Sequence, residues 1–119
     1  MSEEFLRVAR QEVSDDISAI GNLLKECSDD SSTHKKAAEI EKHVHKIKGL
    51  APMMHQERIG RIAEMLDKLL KAAMSGKTVS GLYQTAKKSC EFMRSEIDGS
   101  QTDFERLAAE IEKDHASFL

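Results

Sequence analysis

The sequence predicts an all-α protein, an antiparallel up-down bundle of four helices with a fifth helix packed alongside, in a single domain spanning 1–119. Three observations carry this prediction. Apolar residues recur at spacings of three and four through most of the chain, the period of helices that each bury one face. One Pro, six Gly and the scarcity of β-branched runs leave little material for a turn-rich β fold. Charged residues make up 33% and aromatics only 4%, with no Trp, as expected of a Leu, Ile, Met and Ala core inside a charged surface. A length of 119 residues suits one domain.

The first helix is predicted from about Glu3 to Cys27, with Phe5, Val8, Ala9, Val13, Ile17, Ile20, Leu24 and Cys27 inward. Gly21 weakens this pattern without breaking it. Ser28 to Thr33 is polar and rich in capping residues, so it reads as a loop, with Ser32 or Thr33 capping the next helix. The second helix covers Ala37 to Met54 on the stripe Ala37, Ile40, Val44, Ile47 and Ala51. Pro52 should end or kink it. Met53 and Met54 are expected to pack at the end of the bundle. A third helix runs from about Gln56 to Met74 on Ile59, Ile62, Ala63, Leu66, Leu69, Leu70 and Ala73, and Gly76 is placed as a left-handed cap. The fourth spans about Val79 to Ile97, with Asp98-Gly99-Ser100 ending it. Thr102-Asp103-Phe104-Glu105 fits a capping box and starts the fifth, whose apolar side is Phe104, Leu107, Ala108, Ile111 and Phe118. Short connections favour antiparallel neighbours, hence the up-down topology.

The net charge of −3 offers no footprint for nucleic acid. No apolar run approaches a membrane span. Glu3 and Glu4 stand where a signal peptide has basic residues. Cys27 and Cys90 show no metal or redox spacing. Together these features predict a cytoplasmic protein with no membrane insertion and reduced, buried cysteines.

The functional signal lies in the second helix, in His45-Lys46-Ile47-Lys48-Gly49. At about 100° per residue, His45 falls roughly 120° from the centre of the buried stripe and should be exposed. Lys48 follows one turn later on the same side. Gly49 costs about 1 kcal/mol relative to alanine inside a helix, and one use for that cost is a bare surface that lets another molecule come close. An exposed imidazole is a nucleophile near neutral pH, and a neighbouring ammonium offsets the charge of a phosphoryl group. Lys42 and Lys46 read as a solvated face.

His-x-x-Lys-Gly, as His45-x-x-Lys48-Gly49, resembles the histidine phosphotransfer (HPt) family, and Val44 to Met54 looks most like the first domain of chemotaxis-type histidine kinases. The resemblance covers nearly the whole chain and implies a five-helix phosphorelay intermediate. His45 would accept a phosphoryl group from a kinase catalytic domain and pass it to a receiver-domain aspartate of a response regulator. Lys48 and Gly49 would contact the phosphate or the partner. Mg and ATP would belong to the partner domains, with no cofactor of the chain's own, and the chain could be part of a histidine kinase. An acidic residue on the third helix hydrogen-bonds the other ring nitrogen in that family. Asp67 matches it by ungapped overlay and sits roughly 100° from its helix's stripe centre. Glu64, one turn earlier and about 160° away, is the second choice. His55 stands where family members commonly have glycine, which suggests a different turn or an extra polar group near Pro52.

Two other functional classes find no support in the residues. His43 and His45 point about 200° apart and cannot chelate one ion, and His34, His55 and His115 lack a partner at helical chelating spacing, so no metal site is predicted. No Ser, Cys or His lies in a hydrolase activation motif. A helical module of the same fold that acts by docking, with His45 unused, is the alternative to the phosphotransfer reading.

Overall fold

A computed structural model describes residues 2–100 and 102–119, and every described regular element is helical. The helices are α1 (Glu3–Lys25), α2 (Asp30–Lys35), α3 (Ala37–Met53), α4 (Glu57–Met74), α5 (Leu82–Ile97) and α6 (Phe104–Asp114), followed by a short 3₁₀ turn, Ala116–Phe118. Helices α1, α3, α4 and α5 pack in a ring, each against two others, and form the predicted four-helix bundle; α6 lies on α4 and α5. The core is the sum of the predicted stripes: Val13, Ile17 and Ile20 of α1 meet Ile40, Val44 and Ile47 of α3, with Ile62, Leu66 and Leu69 of α4 and Leu82 and Met93 of α5, all at most 1% exposed. Val8 is 44% exposed and lies outside this core, although it falls on the period. Among the described residues, no helix is long and apolar enough to cross a membrane.

Among the described residues there are six α-helices rather than five. The segment read as a loop contains α2, whose N-terminus is closed by a reciprocal pair: Ser32 N–H donates to Asp29 Oδ1 at 2.9 Å and Asp29 N–H donates to Ser32 Oγ at 3.2 Å. Ser32 and Thr33 therefore serve α2, and α3 begins after Lys36 with no side-chain cap. Helix α2 is bound to α5. Asp30 accepts from Gly81 N–H at 2.8 Å and from Tyr83 N–H at 2.9 Å, so it caps a helix remote in sequence. His34 Nε2 accepts from Val79 N–H at 3.0 Å. With Val79 so engaged and Gly81 at φ +84, α5 starts at Leu82, three residues later than the period suggests.

Pro52 is tolerated in the last turn of α3, which ends one residue later. Met54 is buried there, whereas Met53 is 51% exposed. The turn that follows is the one glycine would make. Gln56 N–H donates to Ala51 O at 2.9 Å, His55 N–H donates to Pro52 O at 3.1 Å, and His55 takes φ +61. His55 takes this left-handed conformation itself and bears its strain. Across this turn α4 comes very close to α3. A Cβ on Gly60 would stand 2.9 Å from Pro52 Cγ.

Cys27 and Cys90 are buried and unpaired. Burial pushes the Cys90 thiol up to about 11, so it carries no thiolate near neutral pH.

Candidate functional site

The rotation of α3 is set by its apolar stripe. Ile40, Val44, Ile47 and Ala51 are fully buried, and this turns His45 outward with its side chain 57% exposed. Lys48 lies one turn on, half-buried, and Gly49 is exposed with open space where a Cβ would be. On α4 the buried arc is wide enough to include Asp67, whose side chain is only 2% exposed and faces α3.

Asp67 Oδ2 is the hub. Lys71 Nζ, one turn along α4, stands 2.8 Å from it, and Lys48 Nζ donates to it at 3.0 Å. His45 Nδ1 lies 3.8 Å away, within ion-pair range but beyond a direct hydrogen bond. A second carboxylate stands on the same side of the ring, with Glu41 Oε2 3.6 Å from Nδ1. Both acids face Nδ1, so they favour the tautomer with the proton there, leaving the Nε2 lone pair on the far side of the ring.

The two acids are driven apart. Burial raises the Glu41 carboxyl above its usual range, and the adjacent Asp67 adds to this. Burial also acts upward on Asp67, but hydrogen bonds from Lys71, Glu41 and Lys48 outweigh it and hold Asp67 lowered. The charge therefore settles on Asp67, where the two ammonium groups are. Among the described residues Asp67 Oδ1 is buried without a partner, so the contacts load one oxygen of the carboxylate.

Of the residues predicted from sequence, His45, Lys48, Gly49 and Asp67 come together. Glu64 does not join them: it pairs with Arg61, which also reaches Glu112 of α6 at 3.4 Å. Glu41 and Lys71 were missed, yet each has a signal, since Glu41 precedes His45 by four residues and Lys71 follows Asp67 by four. Lys46, read as part of a solvated face, is exposed as expected and also pairs with Asp16 of α1. One ligand atom each from Glu41, His45 and Asp67 lies within 4.8 Å of the others, a trio that scanning for histidine pairs cannot find. Any cation entering it would have to displace Lys48 and Lys71 from Asp67.

Comparison with known protein families gives a match to the Hpt domain over residues 4–116. Neither the curated proteins nor the solved structures yield a match.

Proposed function

We propose that this chain, which belongs to the Hpt family of two-component phosphotransfer domains, uses His45 as its phosphoacceptor. The coarse role follows from membership: a phosphotransfer module that works with kinases and receiver domains rather than an enzyme in its own right. The observation supporting the finer assignment is an exposed imidazole whose Nδ1 faces two carboxylates while Lys48 stands in the same cluster.

In the first half-reaction the His45 Nε2 lone pair attacks the γ-phosphorus of ATP held by a kinase catalytic domain. The P–N bond forms, the bond to the ADP oxygen breaks, and the Nδ1 proton stays on the ring between Glu41 and Asp67. In the second, a receiver-domain aspartate attacks the same phosphorus and His45 leaves as neutral imidazole. Lys48 moves from Asp67 toward the phosphoryl oxygens, and Lys71 keeps the buried Asp67 paired meanwhile. Asp67 is the orienting carboxylate, closing its 3.8 Å gap as the ring gains charge. ATP and Mg belong to the partner domains, and a cytoplasmic location accords with them.

The test is transfer from a cognate kinase to the chain and on to a receiver. Acid-labile, base-stable phosphate should form on His45, and His45→Gln should abolish kinase-dependent transfer. Lys48→Ala should slow single-turnover transfer by about one to two powers of ten, since a charge-assisted contact contributes roughly 1.5–3 kcal/mol. A His45→Gln chain that still relays phosphate, or that supports full output by docking alone, overturns the assignment.

A further inference from the structure

A second histidine on α3 has a smaller set of companions of the same kind on the other side of the bundle. His43 is turned toward α1, and its Nδ1 lies 2.8 Å from Asp16 Oδ1. Lys46, three residues later, places Nζ 3.0 Å from the same oxygen. The arrangement repeats the first: a histidine, a lysine three residues on, and a buried carboxylate from the adjacent helix, here α1 in place of α4.

This second set is the tighter of the two. The nitrogen–carboxylate contact is a true hydrogen bond at 2.8 Å, against 3.6 and 3.8 Å around His45. Asp16 is 3% exposed, and its Oδ1 is held by His43 and Lys46 together. The hydrogen bond holds the proton on Nδ1 and leaves the lone pair on Nε2. The His43 side chain is 30% exposed. Its Nε2 makes no hydrogen bond among the described residues and is not among the buried unpartnered atoms, so it faces water.

We propose that His43 is a second phosphoacceptor, charged by a small activated phosphoryl donor of the phosphoramidate class rather than by a docked kinase. The two rings project about 200° apart around α3, so a protein seated over His45 and Gly49 faces away from His43. The Nε2 lone pair attacks the donor phosphorus, the P–N bond of the donor breaks, and its nitrogen departs as ammonia. The Nδ1 proton stays in its hydrogen bond to Asp16, whose charge balances the imidazolium formed. Glu12 and Asp15 lie close enough to act on Lys46, and their negative charge slows an anionic donor; His43 therefore charges more slowly than His45. This inference stands on the α1–α3 geometry and not on the role proposed for His45.

The experiment is incubation of the full chain with phosphoramidate, followed by intact-mass measurement and site mapping in alkali. Wild type should take up two phosphoryl groups per chain. His45→Gln should take up one, mapped to His43, and the double variant with His43→Gln should take up none. His45 is exposed, so His45→Gln tests His43 without disturbing the core. A His45→Gln chain that stays unmodified, or carries its phosphate elsewhere, overturns the proposal. Absence of kinase-dependent phosphate on His45 of the wild-type chain would overturn the role of His45 and leave that of His43 standing.

Discussion

At Gly49 the helix forgoes stability that its own fold could use. The residue lies inside α3 with four helical residues after it, so it does not mark the helix end, and a Cβ there would meet nothing within 4 Å. Gly49→Ala should raise stability by about 0.5–1 kcal/mol in urea unfolding. The added methyl lies on the surface beside His45, where a partner's backbone must approach, so transfer from the kinase should slow. Faster or unchanged transfer in the stabilised variant would show that the bare surface serves no partner. The residue scale is also where the sequence was most legible. His45, Lys48 and Gly49 were readable because spacing along one helix determines which side chains share a face. Asp67 was readable from its flanking angle. The absence of a direct hydrogen bond was readable in part, since aspartate is shorter than glutamate; the 3.8 Å approach itself depends on how closely two helices pack.

The α3–α4 approach is controlled at the element scale by Pro52 and Gly60. Proline's ring cannot swing aside, and the 2.9 Å clearance is shorter than carbon atoms tolerate. Gly60→Ala should destabilise the protein by about 1–2 kcal/mol, overpacking outweighing the gain in helix propensity, as read by chemical denaturation. It should also slow transfer, because the same two helices carry His45 and Asp67. A stabilised variant would show that the helices separate at no cost. The long helices could be read from period alone, and their observed ends differ by at most three residues from the expected ones. Helix α2 could not: six residues hold too little of a 3.6-residue period, and its support comes from α5. The start of α5 was misplaced for the same reason, since Val79 is as buried as the helix that follows and only Gly81 and the bond to His34 separate it.

The whole molecule carries a pH dependence through His115. It is 2% exposed and within 2.7 Å of Thr85 Oγ1, and burial lowers its pKa below the ordinary value. A lowered histidine stays neutral in the folded state while the unfolded chain binds protons below about pH 6.5. Its contribution is fully present above that pH and is lost as pH falls toward the folded-state value. Urea unfolding of wild type should weaken from pH 7.5 to pH 5 more steeply than that of His115→Gln; parallel profiles would show that His115 does not titrate on unfolding. The capping of α5 by Asp30 bears on the order of assembly. The N-terminus of α5 takes its hydrogen-bond acceptor from a residue 51 positions earlier in the chain. Such a bond forms only after α3 and α4 have brought the two segments together, because the entropy of closing so long a loop must first be overcome. The first turn of α5 is therefore expected to form late in folding. The Gly81 and Tyr83 amides should then exchange with solvent faster than the amides of the core helices, because this turn can open while the bundle stays assembled.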